Sequence, residues 1–180
     1  MTEGIVEQLY DAKRQRYARS GYRAADVYEL DEVVDISLLG LVTLGALPAN
    51  DPRIIATVES VRKELVLDSP IGGVARYRND QYQRERDVAD EIPGNPWFIS
   101  TLWLGEYEIE RAETLPQLRE AIPHLEWCAK NALPSGVLAE QVHPVNGSPL
   151  SVSPLTWSHS AFVWAVLAYV EKFKVLHGDE

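Results

Sequence analysis

The chain has 180 residues, of which 46% are hydrophobic and 24% are charged, and this balance is typical of a soluble globular protein with a single domain, residues 1–180. Its 27 acidic and 17 basic side chains leave a net charge of -10, which repels phosphate backbones and anionic lipids and therefore argues against nucleic acid or a membrane surface as a partner. The longest apolar run, residues 161–170, is shorter than the roughly 20 residues that a helix needs to cross a bilayer.

Cysteine usage and the amino terminus bear on the cellular compartment. The single cysteine, Cys128, cannot form an intramolecular disulfide, so nothing in the sequence requires an oxidising environment. Residues 1–11 lack the basic and apolar regions of a secretory signal, and the sequence therefore predicts either a cytoplasmic protein or a chain whose first residue is not the natural start. The histidines show no metal-ligand spacing and no Gly-rich phosphate loop is present, so the sequence predicts neither a metal site nor a cofactor.

The amino-terminal part of the chain contains three predicted helices that differ in how their apolar residues are distributed. Residues 3–13 place apolar side chains at helical spacing with charges opposite, which predicts a surface helix with one buried face. Residues 36–47 are apolar on all sides and predict a helix enclosed by protein, with Asp35 or Ser37 as its N-cap. A third helix is predicted over residues 51–65, where an Asp-Pro capping arrangement precedes an apolar stripe.

Three further helices are predicted in the carboxyl-terminal part. Residues 97–109 are apolar on most of their first three turns and predict a buried helix. A fifth helix, capped by Thr114, alternates apolar and charged residues and is predicted to be amphipathic. The sixth, residues 158–176 with Ser158 as its N-cap, contains the longest apolar run and is predicted to be buried. Because strand signals are weak throughout, the predicted fold class is all-α.

Amphipathic and buried helices alternate along the chain. Two concentric layers require this order, because outer helices contact water on one face while inner helices are covered on nearly all sides. We interpret the pattern as an α/α toroid in which about six helices form half of an (α/α)6 barrel. The inner helices of half a ring would expose apolar surface at two open edges, so either a missing half or a second copy of the chain is expected to cover them.

The connections that lead from amphipathic to buried helices are long. They comprise residues 14–34, 66–96 and 132–157, whereas the connections in the other direction are short. The long connections would all emerge at one end of the helical layers. Long loops in a compact domain usually have a functional role, so we expect the site at this end.

Several residues in the long connections could bind or transform a ligand. Glu140 and Gln141 follow one another in a loop, where a single glutamate is more often a solvated charge than a catalytic group. Residues 71–82 interleave cations, aromatic rings and an acid, as sugar sites do, although an exposed polar loop is the more frequent structure for such a segment. Trp97 and Trp157 would face the same rim, but a tryptophan taken alone is more often a core residue.

Five short motifs occur in a fixed order between about residues 34 and 162. They are DISLLG at residues 35–40, ARYRND at 75–80, GNPWF at 94–98, LAEQ at 138–141 and LTWS at 155–158. Taken together, they resemble consecutive motifs of the glucoamylase family of glycoside hydrolases (family 15, glucoamylase/glucodextranase-like), from the C-terminal half of its catalytic domain. The resemblance implies an (α/α)6 toroid that removes glucose from the non-reducing ends of α-glucans with inversion.

The resemblance also implies roles for single residues. Glu140 matches the family's general base, which activates water while a second carboxylic acid, roughly 6.5 to 9.5 Å away, protonates the leaving oxygen. Gln141 would help to fix that carboxylate. Arg76 and Asp80 would hold hydroxyls of the terminal glucose of an α-glucan or maltooligosaccharide. The pocket would be lined by Tyr77, Trp97 and Trp157.

One departure from the family's pattern affects the expected activity. The family's general acid lies in a Trp-Glu segment in the earlier half of the catalytic domain, and no such segment precedes Asp35 in this sequence. The resemblance therefore implies a chain that supplies the general base but not the acid, with the missing N-terminal half as its partner. Two alternatives stay open: a non-catalytic half toroid that holds carbohydrate or another protein, and a hydrolase of the same fold that acts on trehalose or glucodextran.

Overall fold

The computed structural model describes residues 2–24 and 27–178, so the ends of the predicted domain 1–180 lie outside the described residues. Helix α1, Thr2–Gln8, is followed by two antiparallel hairpins, β1 (Tyr10–Asp11) with β2 (Arg16–Tyr17) and β3 (Gly21–Ala24) with β4 (Val27–Leu30). The predicted helix over residues 3–13 is therefore wrong in its second half. Asp11 accepts hydrogen bonds from the backbone N–H groups of Lys13 and Arg14, at 2.9 and 3.1 Å, and this turn reverses the chain instead.

Residues 36–47 form a shorter helical segment than predicted. A 3-10 turn, Ile36–Leu39, leads into α2, Gly40–Thr43, and the side chain of Asp35 is the N-cap because it accepts a hydrogen bond from Ser37 N at 2.8 Å. The side chain of Leu44 is 78% exposed. The prediction that this segment is enclosed on all sides is thus wrong for its last turn, which the described residues leave uncovered.

Helices α3, Pro52–Leu65, and α4, Phe98–Arg111, confirm the predicted third and fourth helices to within two residues. Asp51 caps α3 by accepting a hydrogen bond from Arg53 N at 2.8 Å. Helix α4 is buried along nearly its whole length, as its apolar first turns predict.

The remaining elements follow the predicted order with one difference at the last cap. The predicted fifth helix consists of α5 (Leu115–Leu118), a 3-10 turn (Arg119–Ala121) and α6 (Ile122–Asn131). It is followed by a hairpin of β5 (Gln141–Val142) with β6 (Pro149–Leu150) and then by α7 (Thr156–His177). Thr114 caps α5 by accepting from Gln117 N. Ser158 is not the cap of α7. Its hydroxyl donates instead to Ala139 O at 2.7 Å, which ties the first turn of α7 to the loop that contains Glu140.

Helix α4 is the centre of the helical packing. It contacts α2, α6 and α7. Leu104 belongs to a core cluster shared with α2 and α3, whereas Leu102 belongs to a second cluster shared with α6 and α7. Because both side chains are buried on one rigid helix, the two cores are held in fixed relation to each other.

Helix α7 departs most from the predicted pattern of burial. Its buried residues are Ser158, Ala161 and Ala165, although a buried helix is predicted. The following apolar side chains are between 40% and 74% exposed: Val163, Trp164, Leu167, Phe173 and Val175. We call these five residues the open face of α7. An uncovered apolar surface of this extent is typical of an interface, because burying each such side chain yields about 1.5 to 3 kcal/mol.

The fold is mostly helical, with three short antiparallel hairpins among the described residues that the weak strand signals did not predict. The hairpins lie in the connections between helices, so the cores remain helical. Within the part of the chain that the structure describes, no helix is long and apolar enough to span a membrane.

Candidate functional site

Short backbone contacts bring the long connections together at one end of the helices. Isolated antiparallel bridges join Asp35 to Tyr77, Ala75 to Pro96, and Trp97 to Gln141. Phe98 N also donates to Glu140 O at 3.2 Å, and Trp97 N donates to Val74 O at 3.0 Å. Segments that are far apart in sequence therefore lie side by side, and their side chains share one rim.

Arg76 is the centre of a compact polar and aromatic cluster at this rim. Its guanidinium donates twice to the carboxylate of Asp80, with both N···O distances at 2.9 Å, and Asp80 is 1% exposed. The guanidinium carbon lies 4.5 Å from the ring centroid of Trp97, 4.8 Å from that of Tyr77 and 5.5 Å from that of Tyr82. A delocalised cation held by a two-fold pair and by ring faces in this way is fixed in one orientation.

The loop around Asp80 packs closely against a glycine. Asp80 N donates to Pro93 O at 3.1 Å, which brings the two strands of the loop together. A Cβ atom on Gly94 would lie 3.0 Å from Asp80 Cβ, closer than most such contacts. The glycine in the GNPWF motif thus permits the close approach of the backbone to Asp80.

Backbone hydrogen bonds of both its N–H and its carbonyl hold Glu140 in place. Its N–H donates to Val152 O at 2.9 Å, and its carbonyl accepts from Phe98 N. The side chain is partly exposed, yet Oε2 is buried and has no hydrogen-bond partner among residues 2–24 and 27–178. A buried carboxylate oxygen without a partner is costly, so this oxygen is a candidate for binding a water molecule or a ligand.

Two hydrogen-bond donors in neighbouring segments are likewise buried without a partner. Trp97 Nε1 and Gln141 Nε2 are buried and, in the described part of the protein, have no acceptor. Residues that face each other across an antiparallel bridge place their side chains on the same face, as Trp97 and Gln141 do. We call Trp97 Nε1, Glu140 Oε2 and Gln141 Nε2 the unpartnered polar atoms. Unused donors and an unused acceptor beside aromatic faces suit a ligand rich in hydroxyl groups.

Trp157 does not belong to this cluster by its ring contacts. It is 53% exposed, and its ring stands edge-on to that of Trp103 with centroids 6.2 Å apart. Both tryptophans line a groove of about 600 Å³ together with Leu44, Glu106 and Trp164. The structure therefore brings Arg76, Tyr77, Asp80, Trp97 and Gln141 together, with Glu140 next to Gln141 in the chain, and leaves Trp157 on the groove between α4 and α7.

Glu106 is the charged residue of that groove. It is buried on α4, and burial together with the charge of Glu110 raises its pKa to about 7. Nothing in its local sequence distinguishes it, since it is one of three glutamates at alternate positions of α4, with Glu108 and Glu110. Its importance is visible only once α2, α4 and α7 are packed together.

Three further residues contact the site although the sequence did not predict them. For two of them a local sequence signal existed. Tyr82 stacks beside Trp97 with centroids 5.9 Å apart, and Asn95 donates to Gln141 Oε1 at 2.8 Å. Both lie in segments that were already singled out, residues 71–82 and 94–98. Arg19, by contrast, reaches Asp35 at 2.9 Å from a connection with no motif, so only the fold reveals it.

Metal binding finds no support in the described residues, which contain no group of three or more histidine, cysteine, aspartate and glutamate side chains suited to hold an ion. Cys128 is buried beside α4 and α7, and burial raises the pKa of its thiol, so it is a packing residue. The chemistry available at the rim is that of the Glu140 carboxylate, the ion pair of Arg76 with Asp80, and neutral hydrogen-bonding groups.

Comparison with known proteins gives a consistent result. The sequence profile of Glycosyl hydrolases family 15 matches residues 2–167. An uncharacterized glycosyl hydrolase of Methanocaldococcus jannaschii is 29% identical over 169 residues, covering 88% of this chain and 25% of that protein. A glucoamylase of Clostridium sp. is 33% identical over 142 residues, covering 76% of this chain and 19% of the glucoamylase. A trehalase of Mycolicibacterium smegmatis is 32% identical over 139 residues, with the same two coverages of 76% and 19%.

Solved structures agree with the sequence comparisons. A bacterial glucoamylase complexed with acarbose matches with a TM-score of 0.76 and 27% identity, covering 95% of this chain and 28% of that one. The mostly helical fold is thus consistent with a fragment of an α/α toroid. The chain spans about a quarter or less of the length of the curated relatives it matches.

Proposed function

The chain belongs to glycosyl hydrolase family 15, and from this premise we propose that it forms part of an inverting glycoside hydrolase that releases glucose from the non-reducing ends of α-glucans. The observation that supports the proposal most concerns Glu140, whose Oε2 has no partner among the described residues. Its backbone is bonded to Phe98, which follows Trp97 of the Arg76 cluster in the chain. In an inverting enzyme, one carboxylate removes a proton from the attacking water. The side chain of Glu140 is partly exposed, so its carboxylate can reach a water molecule for this step.

In the proposed mechanism, Glu140 is the general base and a water molecule attacks the anomeric carbon from its side. A carboxylic acid roughly 6.5 to 9.5 Å away protonates the leaving oxygen, and we propose that residues outside this chain supply it. Acid assistance is worth on the order of 10² to 10⁴ in rate, so the chain alone should turn over very slowly. The product of an α-linked substrate would be β-glucose.

Sugar recognition is proposed for the Arg76 cluster. The guanidinium and Asp80 offer fixed donors and acceptors for hydroxyl groups, and the rings of Tyr77 and Trp97 offer apolar faces for the C–H surface of the sugar. Gln141 would orient the ligand or the base with its free N–H groups. Trp157 would line the opposite wall from its place on the groove.

The partner we propose is the remaining part of a family 15 catalytic domain, expected as the N-terminal half, packed on the open face of α7 and the adjacent groove. The described residues leave this surface uncovered, and the relatives have the length to cover it, since the chain corresponds to about a quarter or less of them. Pairing of two copies through the same face is the alternative. Sedimentation of the purified chain separates these cases, because a self-paired chain would have twice the monomer mass.

The decisive experiment replaces Glu140 by Gln in the chain after it has been combined with the N-terminal part of a family 15 catalytic domain. Turnover of maltose should fall by a factor on the order of 10² to 10⁴, while acarbose affinity stays within about threefold, because the amide keeps the size of the side chain but cannot accept a proton. Glu126→Gln, at an exposed position of α6, is the matched control. Unchanged turnover in Glu140→Gln would refute the role of the base.

A second candidate function is hydrolysis of trehalose, and the specific observation in its favour is the similarity to trehalases at 32% identity. Both substrates present an α-linked glucose to the same cluster and differ in the group that leaves. Comparing glucose release from maltose, soluble starch and trehalose distinguishes the two activities. Acarbose binding without turnover of any of the three would instead favour a non-catalytic carbohydrate-binding role.

A further inference from the structure

Three tryptophan rings line the solvent-accessible groove of about 600 Å³ between α2, α4 and α7. Trp103 comes from α4, and Trp157 and Trp164 come from α7. More than half of the surface of both Trp157 and Trp164 is exposed. Trp164 also belongs to the open face of α7, so the groove adjoins that face. Exposed tryptophans grouped in this way are typical of a protein interface.

Glu106 lies in this groove as a buried carboxylate without a partner. It is 7% exposed, and within the described residues its side chain takes part in no hydrogen bond or ion pair. Its charged neighbour is Glu110, one turn further along α4, and burial together with this like charge raises the pKa of Glu106 to about 7. Thr43 Oγ1 also lies in a residue that lines the groove, and it is likewise buried without a partner in the described part.

The polar groups of the groove restrict what can cover it. A purely apolar cover would leave Glu106 fully buried and unpartnered, which is costly. The cover is therefore expected to bring a hydrogen-bond donor, and a cation suits the groove best. A cation compensates the charges of Glu106 and Glu110 at once, and a guanidinium or ammonium group is also attracted by the faces of tryptophan rings.

A second copy of the chain does not supply this cation through the same surface. Apart from Glu106, the residues of α2, α4 and α7 that line the groove are uncharged. Two lysines of α7 near the groove are engaged elsewhere: Lys172 Nζ donates to Glu110 O at 3.2 Å, and Lys174 Nζ pairs with Glu171 at 2.8 Å. Most homodimers pair through one shared surface, so two copies would bring two Glu106 carboxylates together, which is repulsive.

We propose that this groove docks a segment of the remaining part of the family 15 catalytic domain, and that this segment places an arginine or lysine side chain against Glu106. The proposal deepens the partner proposed above, on which it rests, because it names the chemistry of the surface that fills the groove. The curated relatives have the length to supply such a segment, since the chain covers 25% of one and 19% of another. Glu106 then selects a cationic partner over a second copy.

The preference of the groove for a cation can be measured on the full chain alone. Benzamidine carries a planar cation on an aromatic ring, and benzamide is its neutral counterpart of similar shape. At pH 8, where Glu106 is mostly ionised, benzamidine should shift the indole N–H resonances of Trp103, Trp157 and Trp164 and bind about tenfold more tightly than benzamide. At pH 5.5, where Glu106 is protonated, the difference should fall below about twofold. Equal affinities at pH 8 would overturn the proposal.

The role of Glu106 itself is tested with Glu106→Gln, which keeps the size of the side chain and removes its charge. Benzamidine should then lose its advantage over benzamide at pH 8. Glu126→Gln, at an exposed position of α6, is the matched control and should leave the difference unchanged. An advantage that persists in Glu106→Gln would show that another acid binds the probe and would overturn the assignment.

Docking is measured by sedimentation of the full chain mixed with the N-terminal part of the catalytic domain of the Clostridium glucoamylase. Glu106→Gln should weaken this association by about tenfold, whereas Glu126→Gln should not change it. If the unmodified chain does not associate, the proposed partner is refuted, while the benzamidine titration still decides the chemistry of the groove. A dimer of the chain alone that becomes tighter in Glu106→Gln would show that a second copy covers the groove and would overturn the proposal.

Discussion

Two titratable groups on neighbouring helices, the buried Glu106 and the partly buried His124, should have opposite effects on how the free energy of unfolding depends on pH. Burial and the charge of Glu110 raise the pKa of Glu106 to about 7, from the ordinary 4.5 of a glutamate. Burial and the charge of Arg62 lower the pKa of His124 to about 4 from 6.5. His124 is partly buried because it packs on Gly105, where an added Cβ would lie 3.0 Å from the Cβ of His124.

The sign of each effect follows from proton uptake. Between pH 4.5 and 7 the folded state retains a proton on Glu106 that the unfolded chain has lost, so this contribution to stability is present at low pH and is lost as the pH rises. Between pH 4 and 6.5 the unfolded chain protonates His124 but the folded state does not, so this contribution is lost as the pH falls. Each group changes the free energy of unfolding by about 1.4 kcal/mol per pH unit. The two changes have opposite signs and nearly cancel between pH 4.5 and 6.5.

Single substitutions should reveal the two opposing pH dependences of the free energy of unfolding, which cancel in the unmodified chain. With Glu106→Gln, the free energy of unfolding should rise between pH 4.5 and 6.5 by at most about 3 kcal/mol, because only the histidine term remains. With His124→Gln it should fall by a similar amount over the same range. Urea unfolding of the full chain, followed by tryptophan fluorescence at half-unit pH steps, measures both.

The double variant provides the internal control, since it removes both groups and should restore a nearly flat profile. The reasoning would be refuted if Glu106→Gln had the same pH profile as the unmodified chain. In that case Glu106 would titrate alike in the folded and unfolded states, and the groove would be hydrated rather than apolar.

Two further predictions concern the rim and the core. Arg76→Lys should lower the free energy of unfolding by about 1 to 3 kcal/mol in urea titrations, because lysine cannot replace the two-fold pair with buried Asp80. The exposed Arg78→Lys is its control, and equal losses in both variants would contradict the role of the pair. Cys128 should resist iodoacetamide at pH 8 in the native chain and react after unfolding, because burial raises the pKa of its thiol. Native labelling as fast as in urea would show that the thiol is accessible.

Features that depend on neighbours in sequence could be predicted. The caps at Asp51 and Thr114 and the extent of α4 follow from local hydrogen bonding and from helical periodicity, and the structure agrees with them. Arg76 and Asp80 are four residues apart in a motif, so their proximity could also be inferred. The roles assigned to Glu140 and to the residues around it came from resemblance and remain predictions.

Features that depend on contacts across the chain became visible only in the folded protein. The bond between Asn95 and Gln141 joins residues 46 positions apart, and no local pattern encodes which amide donates. The hairpin after α1 replaced a predicted helix because the side chain of Asp11 binds the backbone of its own turn. The apolar run of α7 predicted a helix correctly but not its surroundings, since hydrophobicity shows that a surface must be covered, whereas only tertiary packing shows which surface the chain leaves open.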